Sequence, residues 1–315
     1  MTVETFVSWL RSQDKSENTV HAYSVAVEQF ASWFQQTNGK PLTPEAVTPL
    51  DVKEWRGHLL TVRELAPSTV NQYLAGVRSY VRWAKAAGKI EHNPTNGIKM
   101  VKQMPSPPRW LERSEQFALL RTAQEAVQLG YLKAQGRLDR PSVIWSRRDH
   151  AIIVLLLNTG LRLSEVEALN LNDVEINERS GTVRVRQGKG RKARTVPLNH
   201  DARAALQQWL AVRPEKSVSD EEKCKALFLS QTGGRLSARS IAYTVEKLAD
   251  KAGLEDVTPH TLRHSFAKNL VDAGVTLEKV ATLLGHENLE TTRIYTRPSE
   301  ADLQAATERV SWEED

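Results

Sequence analysis

Cysteine is almost absent from this chain: Cys224 stands alone among 315 residues. An internal disulfide is therefore excluded, and the usage fits a reducing compartment. Long hydrophobic runs are missing as well. The longest, Ala151 to Leu157, falls far short of a membrane span of about 20 residues. The opening MTVETFVSWLRSQ carries an acid early and no apolar run, so a secretory signal is not expected. With 16 glycines and 13 prolines, collagen-like and low-complexity architectures are excluded; 40% hydrophobic and 26% charged residues exclude a wholly disordered chain. There is neither a glycine-rich nucleotide loop nor an internal repeat. What remains is a cytoplasmic protein, and at about 150 residues per domain its length predicts two domains.

Charge is unevenly spread. Lys and Arg number 43 against 38 Asp and Glu, a net of +5 with a pI near 9.2. Residues 296–315 hold six acids and two arginines, a net −4, which leaves +9 on residues 1–295. A basic body with an acidic tail points to a polyanionic partner for the body. A solvated surface with a solubilising tail explains the charge equally well.

Apolar residues recur at helical spacing in Val3, Phe6, Val7 and Leu10, then in Val20, Tyr23, Val27, Phe30 and Phe34. Asn18 or Thr19 can cap the second helix, and Asn38-Gly39 closes it. A third helix is predicted over 49–62 and a fourth over 68–87, where Tyr73, Tyr80 and Trp83 read as core. The proline-rich segment from Met104 to Pro108 lies in a linker, 104–110, between an all-α domain, 1–103, and a second domain, 111–315. Helices are predicted there over 147–158, 164–169, 201–212, 237–252, 259–272 and 277–284, with short ones in 288–295 and the tail. Residues 128–146 are polar and poorly periodic and read as an excursion between helices. One β-hairpin interrupts the helices: 182–186 and 194–198 alternate around Gly188-Lys189-Gly190-Arg191-Lys192. The expected fold class is mainly α with a small β-hairpin or sheet.

Several residues could carry chemistry. Arg184, Arg186, Lys189, Arg191, Lys192 and Arg194 form a basic run without an acid. A solvated turn ordinarily explains such a run, but the glycines flanking Lys189 let the backbone bring an ammonium to a phosphate. Thr258-Pro259 opens a helix whose free N–H groups favour an anion, and His260 and Arg263 share one of its faces. His260 and His264 could pair on a metal, but no adjacent Glu or third ligand accompanies them. Gly160-Leu161-Arg162-Leu163-Ser164-Glu165 sets an arginine just past a helix-ending glycine. Leu284-Gly285-His286-Glu287 is followed, nine residues after His286, by Tyr295. Each has an ordinary structural reading; a lone helical tyrosine is usually core.

Taken together and in this order, these residues resemble the tyrosine recombinase (phage integrase) family, most of all its Xer-type members, through TPHTLRHSFA and LLGHENLETTRIYT. The resemblance covers nearly the whole chain. It implies an all-α, SAM-like core-binding domain of four helices, carrying Ser16-Glu17-Asn18-Thr19 with Tyr23 and Ser68-Thr69-Val70-Asn71, and then an α+β catalytic domain. It assigns Arg162 to the first catalytic arginine, Glu165 to its supporting acid and Lys189 to the hairpin lysine. His260 and Arg263 match the HxxR motif, His286 the position filled by His or Trp, and Tyr295 the nucleophile. Arg184, Arg186, Arg191, Lys192 and Arg194 are then expected to bind DNA. Two stretches depart from the simplest members: 128–146 is longer, and the hairpin before Lys189 is slightly extended. The chain opens directly on the core-binding domain, so an arm-site-binding module is not expected.

What the resemblance implies is attack by Tyr295 on a scissile phosphate, giving a 3′-phosphotyrosyl bond and a free 5′-hydroxyl. His260 would be the base and Lys189 the acid, while Arg162, Arg263 and His286 hold the phosphoryl oxygens. Strands would be exchanged through a Holliday junction by a homo-tetramer on two double-stranded DNA sites, with or without a paired recombinase. Neither metal, ATP, small-molecule substrate nor membrane is expected. The acidic tail, with Leu303, Val310 and Trp312, would dock on a neighbouring catalytic domain; a solubilising tail is the plainer reading. Two other classes compete: a non-catalytic DNA-binding protein on this fold, and a type IB topoisomerase sharing the phosphotyrosyl chemistry.

Overall fold

The computed structural model describes residues 2–103, 108–186, 193–214, 225–286, 288–296, 303–304 and 307–308. The chain divides into two compact units, Met1–Ser106 and Pro107–Asp315. The first holds α1 (Thr2–Ser12), α2 (Glu17–Asn38), α3 (Pro49–Thr61) and α4 (Pro67–Ala86). Ser16 caps α2, its hydroxyl accepting from the Thr19 amide at 3.2 Å. A reciprocal Thr48–Asp51 box starts α3, in which each backbone N–H donates to the other side chain. The helical stripes meet in two clusters. Phe30, Phe34, Trp55, Leu59, Leu74 and Val77 form one, and Phe6, Leu10, Val27, Tyr80 and Val81 the other, so the aromatics are core. Asn71 on α4 pins the outgoing chain, accepting from the Val101 amide (2.8 Å) and donating to its carbonyl (2.9 Å).

The second unit runs α5 (Arg113–Lys133), α6 (Pro141–Thr159), α7 (Leu163–Ala168), β1 (Val174–Ile176), β2 (Gly181–Val185), β3 (Arg194–Pro197) and α8 (His200–Leu210). Then come α9 (Ala238–Lys251), α10 (Pro259–Asp272), α11 (Leu277–Leu284), α12 (Glu290–Arg293) and a 3-10 turn, Ile294–Thr296. The middle of α6 is apolar all round because it is the centre of the unit: Ala151, Ile152, Ile153, Leu155 and Leu156 are fully buried, with α5, α8 and α10 packed against the helix. The strands form an antiparallel meander in the order β1-β2-β3, with Val183 opposite both Val174 and Val196.

Two sequence expectations change here. The stretch 128–146 is not an excursion: α5 continues to Lys133 and α6 begins at Pro141, so only 134–140 lie between. Gln135, Arg137, Asp139 and Arg140 fill that short connection, and the two helices flanking it bury Gly130 and Val143. The hairpin is also the last two strands of three, because β1 is too short to show alternation. Lys189, Arg191 and Lys192 lie outside the described residues, as do Cys224, most of the linker, Val310 and Trp312. Leu303 of the tail is exposed. Among the described residues no helix is long and apolar enough to cross a membrane.

Candidate active site

Gly160 ends α6 in the left-handed conformation at φ +59, and the reversal delivers Arg162 to the N-cap of α7. A side chain at Gly160 would meet Phe266 and lie 2.9 Å from Leu284, so the turn is also a close packing point. The Arg162 amide donates to Glu165 Oε2 (2.8 Å), its Nη1 to Glu165 Oε1 (2.9 Å) and its Nη2 to the Gly285 carbonyl (3.0 Å). Arg194, first residue of β3, donates from Nη1 and Nη2 to the same two carboxylate oxygens, both at 2.8 Å, and from Nε to the Leu283 carbonyl (3.0 Å). Arg263 is buried on the inner face of α10 and donates to the carbonyls of Gly160 (2.5 Å) and Leu284 (2.8 Å). Three guanidiniums therefore end on three successive carbonyls, Leu283, Leu284 and Gly285. These are the acceptors that the C-terminus of α11 leaves unpaired, at the negative end of its dipole.

The electrostatics follow from this packing. Burial would raise the Glu165 pKa, but hydrogen bonds from Arg194 and from the Arg162 amide outweigh it and hold the carboxyl at about 2. Burial, reinforced by the like charge of Arg162, lowers Arg263 to about 10, which leaves it protonated at neutral pH. Arg162 and Arg194 pair with Glu165 and Arg263 stands beside them without a bond to it, so three cations share one carboxylate and the pocket keeps two uncompensated positive charges. Such a surplus favours an anionic occupant.

His286 follows the α11 cap directly. Its Nδ1 lies 2.9 Å from the hydroxyl of fully buried Thr292, which leaves Nε2 for another partner. Burial and then the Arg263 charge lower its pKa to about 4, so the ring is neutral at physiological pH. Tyr295 is buried, only 1% exposed, among Phe266, Val280 and Leu284. Its hydroxyl sits 2.7 Å from His264 Nδ1. Burial raises the tyrosine pKa, against a smaller opposing effect of Arg263. His264 is lowered to about 4 by burial first and by His260 and Arg263 after it. The ring is therefore neutral, and one hydrogen bond joins it to the phenol.

The sequence weighed His264 only as half of a metal pair, whereas the structure makes it the partner of Tyr295. His260 is exposed and makes no side-chain hydrogen bond among the described residues. No three His, Cys, Asp or Glu side chains gather as a metal site requires, among the described residues. Arg184 and Arg186 are exposed, and Arg186 Nε reaches Asp173 Oδ1 at 2.6 Å. Arg194, grouped by sequence with the DNA-facing cations, is turned inward. Its cross-strand partner is Val185, which is buried, and residues opposite each other on paired strands share a face. That register was the available signal: Val183 and Val185 face the core, so the residue opposite Val185 does too. Arg162, Glu165, Arg194, Arg263, His264, His286 and Tyr295 are thus brought together.

The phage integrase family profile matches residues 141–302, and the phage integrase N-terminal SAM-like domain matches residues 3–87. The chain is 32% identical to tyrosine recombinase XerC of Syntrophus aciditrophicus, over 94% of this chain and 92% of that protein. It is 33% identical to XerC of Oceanobacillus iheyensis, over 96% and 93%. The fold is shared with the XerH site-specific recombinase bound to a palindromic difH substrate, at TM-score 0.71 and 23% identity over 93% of this chain and 79% of that one. With both halves matched and relatives of this identity spanning nearly its full length, the chain belongs to the phage integrase family and is a tyrosine recombinase, an enzyme of site-specific recombination.

Proposed function

We propose that Tyr295 is the nucleophile of a phosphoryl transfer on double-stranded DNA, with Arg162, Arg263 and His286 holding the phosphate oxygens. The observation that carries this is the surplus of two positive charges around Glu165, beside a buried tyrosine. A phosphodiester brings one negative charge and its pentavalent transition state a second, so the pocket favours the transition state. Fork-shaped guanidiniums suit paired phosphoryl oxygens. With Nδ1 accepting from Thr292, His286 offers an Nε2–H. The phenolic oxygen attacks phosphorus, the bond from phosphorus to the 5′-oxygen breaks, and a 3′-phosphotyrosine and a 5′-hydroxyl result. His260 takes the tyrosine proton and Lys189 supplies one to the leaving oxygen. Until DNA arrives, His264 keeps the phenol neutral. The phosphotyrosyl bond conserves the energy of the broken one, so a 5′-hydroxyl from another duplex reverses the step with new connectivity.

Exchange of strands between duplexes requires four copies on two sites, with a Holliday junction between the rounds of cleavage, in the cytoplasm where the DNA is. Arg184 and Arg186 supply exposed cations for the duplex. Solved complexes on the same fold support DNA as the partner: XerH on difH, the Tn1549 transposon integrase on a circular intermediate and lambda integrase on a core site. A plasmid bearing two direct copies of the sequence that the protein protects in DNA flanking its gene tests this. Wild type should resolve it into two circles, and Tyr295→Phe should not. Relaxation of a plasmid without the sequence would favour a topoisomerase, and binding without cleavage a non-catalytic protein.

A further inference from the structure

The strand leaving the Lys189 segment enters the pocket through Arg194. We propose that Arg194 is a positioning residue: it divides Glu165 with Arg162 and seats the α11 turn, so that Arg162 and His286 face the phosphate, and it does not touch DNA. This rests on the pocket being the phosphoryl-transfer site.

Each Glu165 oxygen receives one bond from Arg194 and one from Arg162. Because Arg194 occupies both oxygens, Arg162 meets the carboxylate with Nη1 alone, and its Nη2 is left to reach Gly285. Without Arg194, a carboxylate only 11% exposed would keep a single cation, and a full fork-to-fork pair would draw the Arg162 guanidinium down onto it and away from a ligand. Arg194 also packs flat on the residue preceding His286. A Cβ at Gly285 would stand 3.0 Å from Arg194 Nη1 and 3.1 Å from Cζ, in a backbone already at φ +64. The side chain itself is only 14% exposed, with its third bond on Leu283. A lysine ammonium could neutralise Glu165 but could not bridge both oxygens and the Leu283 carbonyl in one plane.

The test is single-turnover formation of covalent protein–DNA adduct at saturating DNA, on nicked duplexes tiled across the protected sequence. Wild type, Arg194→Lys, Arg194→Gln, Glu165→Gln and the Arg194→Gln/Glu165→Gln double variant are compared, with Tyr295→Phe as control. Arg194→Gln should cleave about 10²-fold more slowly and Arg194→Lys about 10-fold, as displacement of a reacting group costs. Kd should change by less than about 2-fold in both, with the slope of log Kd on log salt unchanged, because no phosphate contact is lost. In the Glu165→Gln background, Arg194→Gln should lose clearly less than the factor it loses alone, since the shared pair is already gone and only the α11 contacts remain to be lost. A slope reduced by about one would make Arg194 a phosphate contact and overturn the proposal. Wild-type cleavage by Arg194→Lys would overturn it too, as would a full additive loss in the double variant. Should Arg194→Gln melt early, Arg194→Lys, which keeps the charge, decides by its rate and salt slope. If wild type forms no adduct, or Tyr295→Phe forms one, the functional reading itself fails; with those controls intact, the outcome bears on Arg194 alone.

Discussion

Tyr295 keeps its hydroxyl away from water by pairing with a neutral imidazole, and breaking that pair has a measurable consequence. His264→Phe leaves a buried phenol without a partner, which costs about 1–3 kcal/mol. The double variant with Tyr295→Phe removes both polar atoms and should recover most of the loss in urea unfolding. Simple addition of the two effects would place the hydroxyl elsewhere. Glu165 predicts an acid-side signature. Its folded-state pKa of about 2 lies below the ordinary 4.5, so its stabilisation is complete above pH 4.5 and is lost as pH falls through 2. At 1.36 kcal/mol per pKa unit the contribution is on the order of 3 kcal/mol. Glu165→Gln should be less stable at neutral pH, and the variant's stability should fall less steeply than wild type between pH 4.5 and 2. Parallel curves would contradict the network. His264 and His286, held near 4, act in an earlier window. Below about pH 6.5 the unfolded chain takes up protons that the folded rings refuse, so stability should already decline from there to pH 4.

At the level of elements, the site is a junction of helix ends: α6 stops at Gly160, α7 starts at Arg162, and α11 stops at Gly285. Gly160→Ala adds left-handed strain and drives a methyl into Phe266 and Leu284. It should cost at least about 2 kcal/mol in denaturant unfolding and slow cleavage further than stability alone explains. A neutral substitution would mean that the turn has room. The ends of α10 and α11 were legible in the sequence because Thr258-Pro259 and Gly285 are local punctuation. The junction of α5 and α6 was not, because the polar connection 134–140 and the exposed Leu129, Tyr131 and Leu132 before it break the apolar periodicity. β1 is three residues long, and no local pattern separates so short a strand from a loop. His264 shows the same limit at one position. Four residues after His260 it fits a metal pair equally well, and only the fold brings Tyr295 to its ring.

For the whole molecule, family resemblance singled out the candidate residues because their order survives their wide separation, while their partners depend on tertiary packing. The three α11 carbonyls belong to that second kind. The charge distribution, +9 on residues 1–295 and −4 on the remainder, predicts strongly salt-dependent DNA binding. With six to ten phosphates contacted, affinity should fall about 10³–10⁵-fold between about 50 and 200 mM salt, and a nearly flat dependence would count against a backbone-dominated interface. Tyr295 should become joined to DNA, and mass spectrometry of the protease-digested adduct formed on the nicked duplexes reads that bond. The DNA should be carried through its 3′-phosphate by the peptide containing Tyr295, and Tyr295→Phe should bind the same duplex without yielding an adduct. A 5′ linkage, attachment to another residue, or an adduct from Tyr295→Phe would contradict the account.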